Sequence, residues 1–402
     1  MWKVENRKVG NTVITADERQ VEVSFIVPCY KLGHLLAECI ESILLQSYRD
    51  FEILIMDDCS PDSTPDIAKS FLDPRIKYIR NESNLGNLRN YNKGISLARG
   101  EYIWLISADD RLRRPYVLER YVRLMEDHPK VGFVFCRAVN LINGQEGRVL
   151  DYGDRGGRDR IFGGHDFFFE IIMQGNTVVA PTGMARKECY ERVSLFPLDL
   201  PWGGDWYLWT IFAAYYDVAY LAEPMVNYRR HELSMTDALV RDNVRHCAES
   251  DIEVPRRIMA KMEEAGFPAL AKRCRQAIAY QYSNNIASRE YRYSSAWSHY
   301  SMSLGEFEDS LFQVARNPTE QKYIRARAYA GLADRYYGHA DFVHALEFYR
   351  RAAHEEPMML MVWMKYLLLR LGHAGIRFRA SLWPIRQMIR RIKNARESGV
   401  VT

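Results

Sequence analysis

From Val21 to about Glu126 the chain alternates short apolar runs with longer stretches in which apolar residues return every three or four positions. The runs Val23 to Val27, Phe51 to Met56, Ile76 to Ile79 and Tyr102 to Ile106 predict strands, and Leu35 to Leu45, Asp66 to Phe71, Leu88 to Ala98 and Tyr116 to Met125 predict helices between them. This order predicts an α/β fold, a mostly parallel sheet flanked by helices. Ligands of such sheets bind beyond the carboxyl ends of the strands. Here those ends read Pro28-Cys29-Tyr30, Asp57-Asp58 and Ser107-Ala108-Asp109-Asp110. From about Val131 to Tyr228 the pattern is mixed, with a strand at Val131 to Phe135, glycine-rich loops around Asp151 to Gly164, and a helix opening at Gly203-Gly204-Asp205. It reads as the acceptor half of one larger domain.

After about Met235 strand signals stop and an all-α domain is expected. Tyr329, Leu332, Ala333, Tyr336, Ala345, Tyr349, Ala352 and Pro357 fall at the spacing of a tetratricopeptide repeat. A weaker copy runs from Tyr280 through Ala296 to Tyr300, which would require an insertion near Gly305 to Thr319. A plain helical bundle accounts for the same positions equally well. The expected organisation is a polar segment 1–20, an α/β domain 21–240, a helical domain 241–372 and a basic tail 373–402.

Charge sharpens the last division. The 402 residues carry a net +4, but residues 373–402 hold seven Lys or Arg and one Glu, so the remainder is slightly acidic. In the tail, Arg377, Arg379, Arg386, Arg390, Arg391, Lys393 and Arg396 interleave with Phe378, Leu382, Trp383, Ile385, Met388, Ile389 and Ile392. Such a basic amphipathic segment suits an anionic membrane surface, with a solvated terminal helix as the alternative. The near-neutral body argues against a nucleic-acid partner. Seven scattered cysteines without a metal-binding spacing predict a reducing, cytoplasmic setting, peripheral at most on the inner face of the cytoplasmic membrane. No leader is expected in residues 1–20, and the apolar stretch from Met358 to Leu371 falls short of the ~20 residues of a membrane span.

Asp109 and Asp110 follow the apolar YIWLI. Paired carboxylates at a buried strand end are costly unless a cation or ligand balances them, and hard oxygen ligands select Mg2+ or Mn2+. SFIVPCYKLGHLLAECIESILLQSYRDFEILIMDDCSPDST, NLGNLRNYNKGI and ARGEYIWLISADD, in that order, resemble the nucleotide-binding half of family 2 glycosyltransferases with the GT-A fold, over about residues 21–235. The resemblance implies an inverting, metal-dependent transferase. Its donor would be a nucleoside-diphosphate sugar, UDP favoured, and its acceptor a glycan or lipid-linked glycan of bacterial surface polysaccharide synthesis.

By the same resemblance Pro28 and Tyr30 wall a base pocket, Asp58 meets the pyrimidine, and Asp57 shapes the loop, with helix capping as the alternative for the pair. Asp109 would face the ribose and Asp110 the divalent ion. Many family members have an acidic residue where this chain has Ser107, and an Arg where it has Tyr91, which leaves Arg89 and Lys93 as candidates for the diphosphate. In LPWGGDWYLW, Asp205 corresponds to the catalytic base, with helix capping as the alternative, Gly203 and Gly204 let the backbone approach the acceptor, and Trp202 and Trp206 would stack on sugar, with a core position on the helix as the equal alternative for Trp206. His231, in YRRHELSMT, would contact the metal and diphosphate. A different class stays open: an interaction scaffold whose helical part recruits a protein partner while the α/β domain binds nucleotide without turnover.

Overall fold

The computed structural model describes residues 21–153, 155–231, 234–290, 303–315, 317–372 and 374–376. The polar segment 1–20, nearly all of the basic tail, and Ala296 and Tyr300 of the weaker repeat lie outside the described residues. The chain divides between Ser234 and Met235 into two units.

The first unit opens with β1 (Val23–Cys29), α1 (Gly33–Leu44), β2 (Phe51–Asp57), α2 (Thr64–Ser70), β3 (Ile76–Arg80), α3 (Asn87–Leu97) and β4 (Tyr102–Leu105). Then come β5 (Arg111–Leu112), α4 (Val117–Asp127), β6 (Val131–Ile142), β7 (Gln145–Leu150), β8 (Arg160–Phe162) and α5 (Gly164–Gln174). Finally β9 (Met184–Arg186), α6 (Lys187–Val193), α7 (Gly204–Tyr215) and β10 (Asp217–Arg229) complete it. One sheet has the order β3-β2-β1-β4-β9-β6-β10-β5, with β7 paired to β6 and β8 to β10. Strands β3, β2, β1 and β4 run parallel, whereas β9 is antiparallel to both β4 and β6.

Every residue of β1 and β2 is buried, as expected of central strands covered on both faces. Glu52, near the start of β2, accepts from Ser24 Oγ at 2.7 Å and pairs with Arg99 Nη2 at 2.9 Å, so its burial is compensated. Phe25, Trp104 and Tyr121 stack in the core, with centroids 5.4 and 4.4 Å apart. Helix α3 lies close on the sheet because Gly94 has no side chain. A Cβ there would come within 2.5 Å of Ile26 Cγ2.

Two connections position the chemistry. Strand β4 ends at Leu105, the chain turns through Ser107 to Asp110, and β5 pairs antiparallel with the end of β10. The Asp109-Asp110 turn is thereby delivered to the carboxyl end of β10, far along the chain. Strand β10 itself runs parallel to β6, with register shifts around Pro224.

The second unit is helical: α8 (Met235–Glu264), α9 (Pro268–Glu290), α10 (Leu304–Val314), α11 (Pro318–Gly338), α12 (Phe342–Glu355) and α13 (Leu360–Arg370). The boundary expected at residue 240 falls inside α8, and α10 occupies most of the expected insertion. Helix α8 packs on α9, α9 on α11, α11 on α12 and α12 on α13. Tyr329, Leu332, Ala333 and Tyr336 of α11 and Ala345, Tyr349 and Ala352 of α12 are all buried, and Pro357 follows α12. The Asp341 side chain accepts from the His344 N–H at 3.2 Å and starts the second helix of this hairpin. No helix among the described residues is long and apolar enough to cross a membrane.

Candidate active site

The end of β2 carries two carboxylates with different jobs. Asp57 is fully buried, and its oxygens accept from Tyr78 Oη at 2.6 Å, Arg80 Nη1 at 2.6 Å and the Ser60 N–H at 2.8 Å. Neither Asp57 nor Asp58 caps α2. It is Asp62 that accepts there, from the Thr64 N–H at 3.2 Å and from Thr64 Oγ1 at 2.6 Å. Asp58 accepts from Asn81 Nδ2 at 2.8 Å and from the Leu85 and Gly86 N–H groups at 2.8 and 2.9 Å, which ties the loop before α3 to the end of β2. Asn81 reaches Asn90 as well, and Lys93 Nζ donates to Asn81 Oδ1 at 2.7 Å. Lys93 is thus joined to the Asp58 network, while Arg89 is exposed on α3. Pro28 is buried in β1, and its carbonyl accepts from the Ala108 N–H. Tyr30, just past the strand, is 36% exposed with Lys31 Nζ 5.1 Å from its ring centre.

The Asp109-Asp110 turn is held from β10. The Arg229 N–H donates to Asp110 Oδ1 at 2.9 Å, and Arg229 Nε donates to the Asp109 carbonyl at 2.7 Å. The rest of its guanidinium pairs with Glu38 of α1, which also receives Arg111. His231 Nε2 lies 2.8 Å from Asp109 Oδ2. Asp109 Oδ1 is buried without a hydrogen-bond partner, and Asp110 is held well above the usual carboxylate range by loss of solvation first and by Asp109 second. An orphaned buried oxygen beside a carboxylate that resists ionisation fits a site meant for a cation. Among the described residues no group of three or more His, Cys, Asp and Glu is arranged as a complete metal site. A divalent ion would rest on one or two carboxylates and draw its remaining oxygens from the substrate and water.

Asp205 stands on the first turn of α7, after Gly203 at φ +80 and Gly204. A left-handed residue there turns the loop into the helix, a conformation that glycine adopts without strain. Asp205 Oδ1 accepts from the Trp206 N–H at 2.8 Å and Oδ2 from Asn176 Nδ2 at 2.7 Å. Its pKa is raised by loss of solvation, against the pull of these two donors. Asn176 is itself anchored, because the next residue, Thr177, accepts at Oγ1 from Arg155 Nη2 at 2.6 Å. The Arg155 guanidinium is buried among Phe135, Phe167 and Tyr220 and paired with Glu170. Of the two readings of Trp206, the structure selects the core. Trp206 is 2% exposed and donates its indole N–H to the Ile171 carbonyl at 3.0 Å, so it belongs to the core and offers no face to a sugar. Trp202 is half-buried in the turn before α7.

These carboxylates share one neighbourhood. The Tyr91 phenol on α3 is pushed up by loss of solvation first, and then by Asp109, Asp205 and Asp110 together. Its ring meets Phe196 edge-on at 5.7 Å, and Asn92 is bonded in both directions to the Phe196 backbone. A Cβ on Gly204 would lie 3.3 Å from Phe196, so the same contact seats the start of α7 beside α3. Asn81, Asn90, Asn176, Glu38 and Arg229 are the functional neighbours that sequence reasoning passed over.

The mostly parallel sheet flanked by helices is a GT-A type fold, as its likeness to a solved structure below bears out. Residues 24–172 match the model of glycosyl transferase family 2. Glycosyltransferase GlyG of Streptococcus pneumoniae serotype 4 is 36% identical over 106 residues, 26% of this chain and 35% of its own. An uncharacterized glycosyltransferase of Haemophilus influenzae is 30% identical over 217 residues, 52% of this chain and 65% of its own. The first curated relatives are matched over only 32% to 39% of their own length. Among solved structures, S. aureus TarS 1–349 in complex with UDP-GlcNAc has a TM-score of 0.56 at 17% identity, covering 84% of this chain and 92% of that one.

Proposed function

We propose that the chain transfers a sugar, with inversion, from a nucleoside diphosphate to a hydroxyl of a glycan or lipid-linked glycan. The observation that carries this reading is the convergence of Asp109, Asp110 and Asp205 around Tyr91. Asp205, with its pKa raised and both oxygens oriented by donors, removes the acceptor hydroxyl proton. The oxygen then attacks the anomeric carbon as its bond to the diphosphate breaks, and a single base with direct displacement inverts the configuration. Asp110, with Asp109 and His231 alongside, would hold Mg2+ or Mn2+, which when bound offsets the charge of the departing diphosphate. Tyr30 and the loop tied by Asp58 receive the base, and Lys93 or Arg89 meets the phosphates. Half-buried Trp202 and the Gly203-Gly204 backbone border the acceptor side. A UDP-linked sugar is the donor to try first, since a protein of the same fold binds UDP-GlcNAc.

Incubating the protein with Mn2+, a sugar-nucleotide panel and glycan acceptors, and measuring released nucleoside diphosphate, tests the reading. Release from at least one donor is expected, falling about a hundredfold or more in Asp205→Asn. Nucleotide release that is unchanged in Asp205→Asn and Asp110→Asn would overturn it.

A further inference from the structure

Helix α13 shows solvent an apolar face that the core of its unit does not use. Leu360, Trp363, Met364, Leu367 and Leu371 recur at the spacing of one helix face, and all are exposed, Leu360 by 75% and Leu371 by 66%. Val362 and Leu369, on the opposite face, are buried where α12 packs. Isolated exposed apolar residues are ordinary, whereas a continuous stripe with Met358 and Met361 beside it marks a contact surface. The Trp363 indole N–H donates to the Pro357 carbonyl at 3.1 Å, so its polar atom is already partnered within the chain.

The sequence that follows the start of the stripe is basic. From Pro357 to Arg396 the sequence contains no Asp or Glu and nine Lys or Arg. Lys365 is drawn off to Asp334 at 2.6 Å, and Arg370 is exposed at the helix end. We propose that the exposed face of α13 docks on an anionic lipid bilayer, its Leu, Met and Trp side chains entering the interface and the basic sequence that follows adding attraction to the headgroups. A second copy of the chain fits less well. Two-fold pairing would set stripe on stripe and double the positive charge of the sequence that follows it. The surface is separate from the proposed sugar transfer and stands or falls without it.

Co-sedimentation of the full chain with vesicles of phosphatidylcholine alone, and of phosphatidylcholine with phosphatidylglycerol, tests it. Binding is expected to the anionic vesicles and to weaken in high salt. A triple variant, Met364→Gln with Leu367→Gln and Leu371→Gln, alters only exposed positions and should melt like the parent. It is expected to bind on the order of tenfold less or weaker still, because inserted apolar area is lost. Leu72→Gln, at an exposed position in the other unit, should bind as the parent does. Three results would sink the proposal. One is a parent that fails to pellet with anionic vesicles; another is a triple variant that pellets as well as the parent, which would assign binding to residues 377–402 alone. The third is a dimer seen by light scattering that the triple variant dissolves, which would make the face an interface between copies.

Discussion

Loss of solvation lifts the pKa of Asp205, while the Asn176 amide and the Trp206 N–H pull it back. As the proposed base it would be protonated over a wider acid range, so activity would fall off at a higher pH than an ordinary carboxylate allows. Removing the Asn176 donor takes away one stabiliser of the charged form and raises the pKa further. In Asn176→Ala the acid limb of kcat/KM against pH is therefore expected to move to higher pH, with the alkaline side unchanged. A limb that stays in place would show that Asn176 does not act on the base. The acids themselves were legible in the sequence because each follows an apolar run or a glycine pair, where a charge needs a reason. Asn176 and Arg155 were not. Their meaning lies in the contacts Arg155–Thr177 and Asn176–Asp205, formed across 22 and 29 positions. A lone polar residue announces no such partner.

Among the elements, the parallel half of the sheet was readable because β1, β2 and β4 are short apolar runs between helices. The antiparallel additions were not. Strands β5 and β9 have two and three residues, too few for a period to register, and five of the six residues of β7 are exposed. Strand β9 also ends in Arg186, a cation tolerated there only because it donates to the Val131 and Met125 carbonyls and pairs with Glu101. Helix α3 offers a test of packing against propensity. Alanine is the better helix former, yet at Gly94 its Cβ would press on Ile26 and, at 3.2 Å, on Met56 Cγ. Gly94→Ala is expected to lower stability by about 1–3 kcal/mol. A chemical denaturation curve with an unchanged or higher midpoint would mean that α3 sits farther from the sheet.

Across the whole molecule, all seven cysteines are free and six are buried, Cys59 alone being partly exposed. Burial pushes Cys29 up to about 12 and Cys136 and Cys247 to about 11, so these thiols stay protonated at mildly alkaline pH. A disulfide titrant added to the native protein is expected to label one thiol promptly and the other six only on unfolding. Prompt labelling of several would show that the cores open readily. Closures between distant segments hold the first unit together, and the Arg229 N–H on Asp110 joins positions 119 apart. An Asp110→Ala protein would therefore suffer twice. It would forfeit a carboxylate and strand a buried donor at the last rung of β10, a defect worth about 1–3 kcal/mol that drags His231 with it. Silence from such a protein says nothing about ions, whereas asparagine keeps the acceptor and erases only the charge.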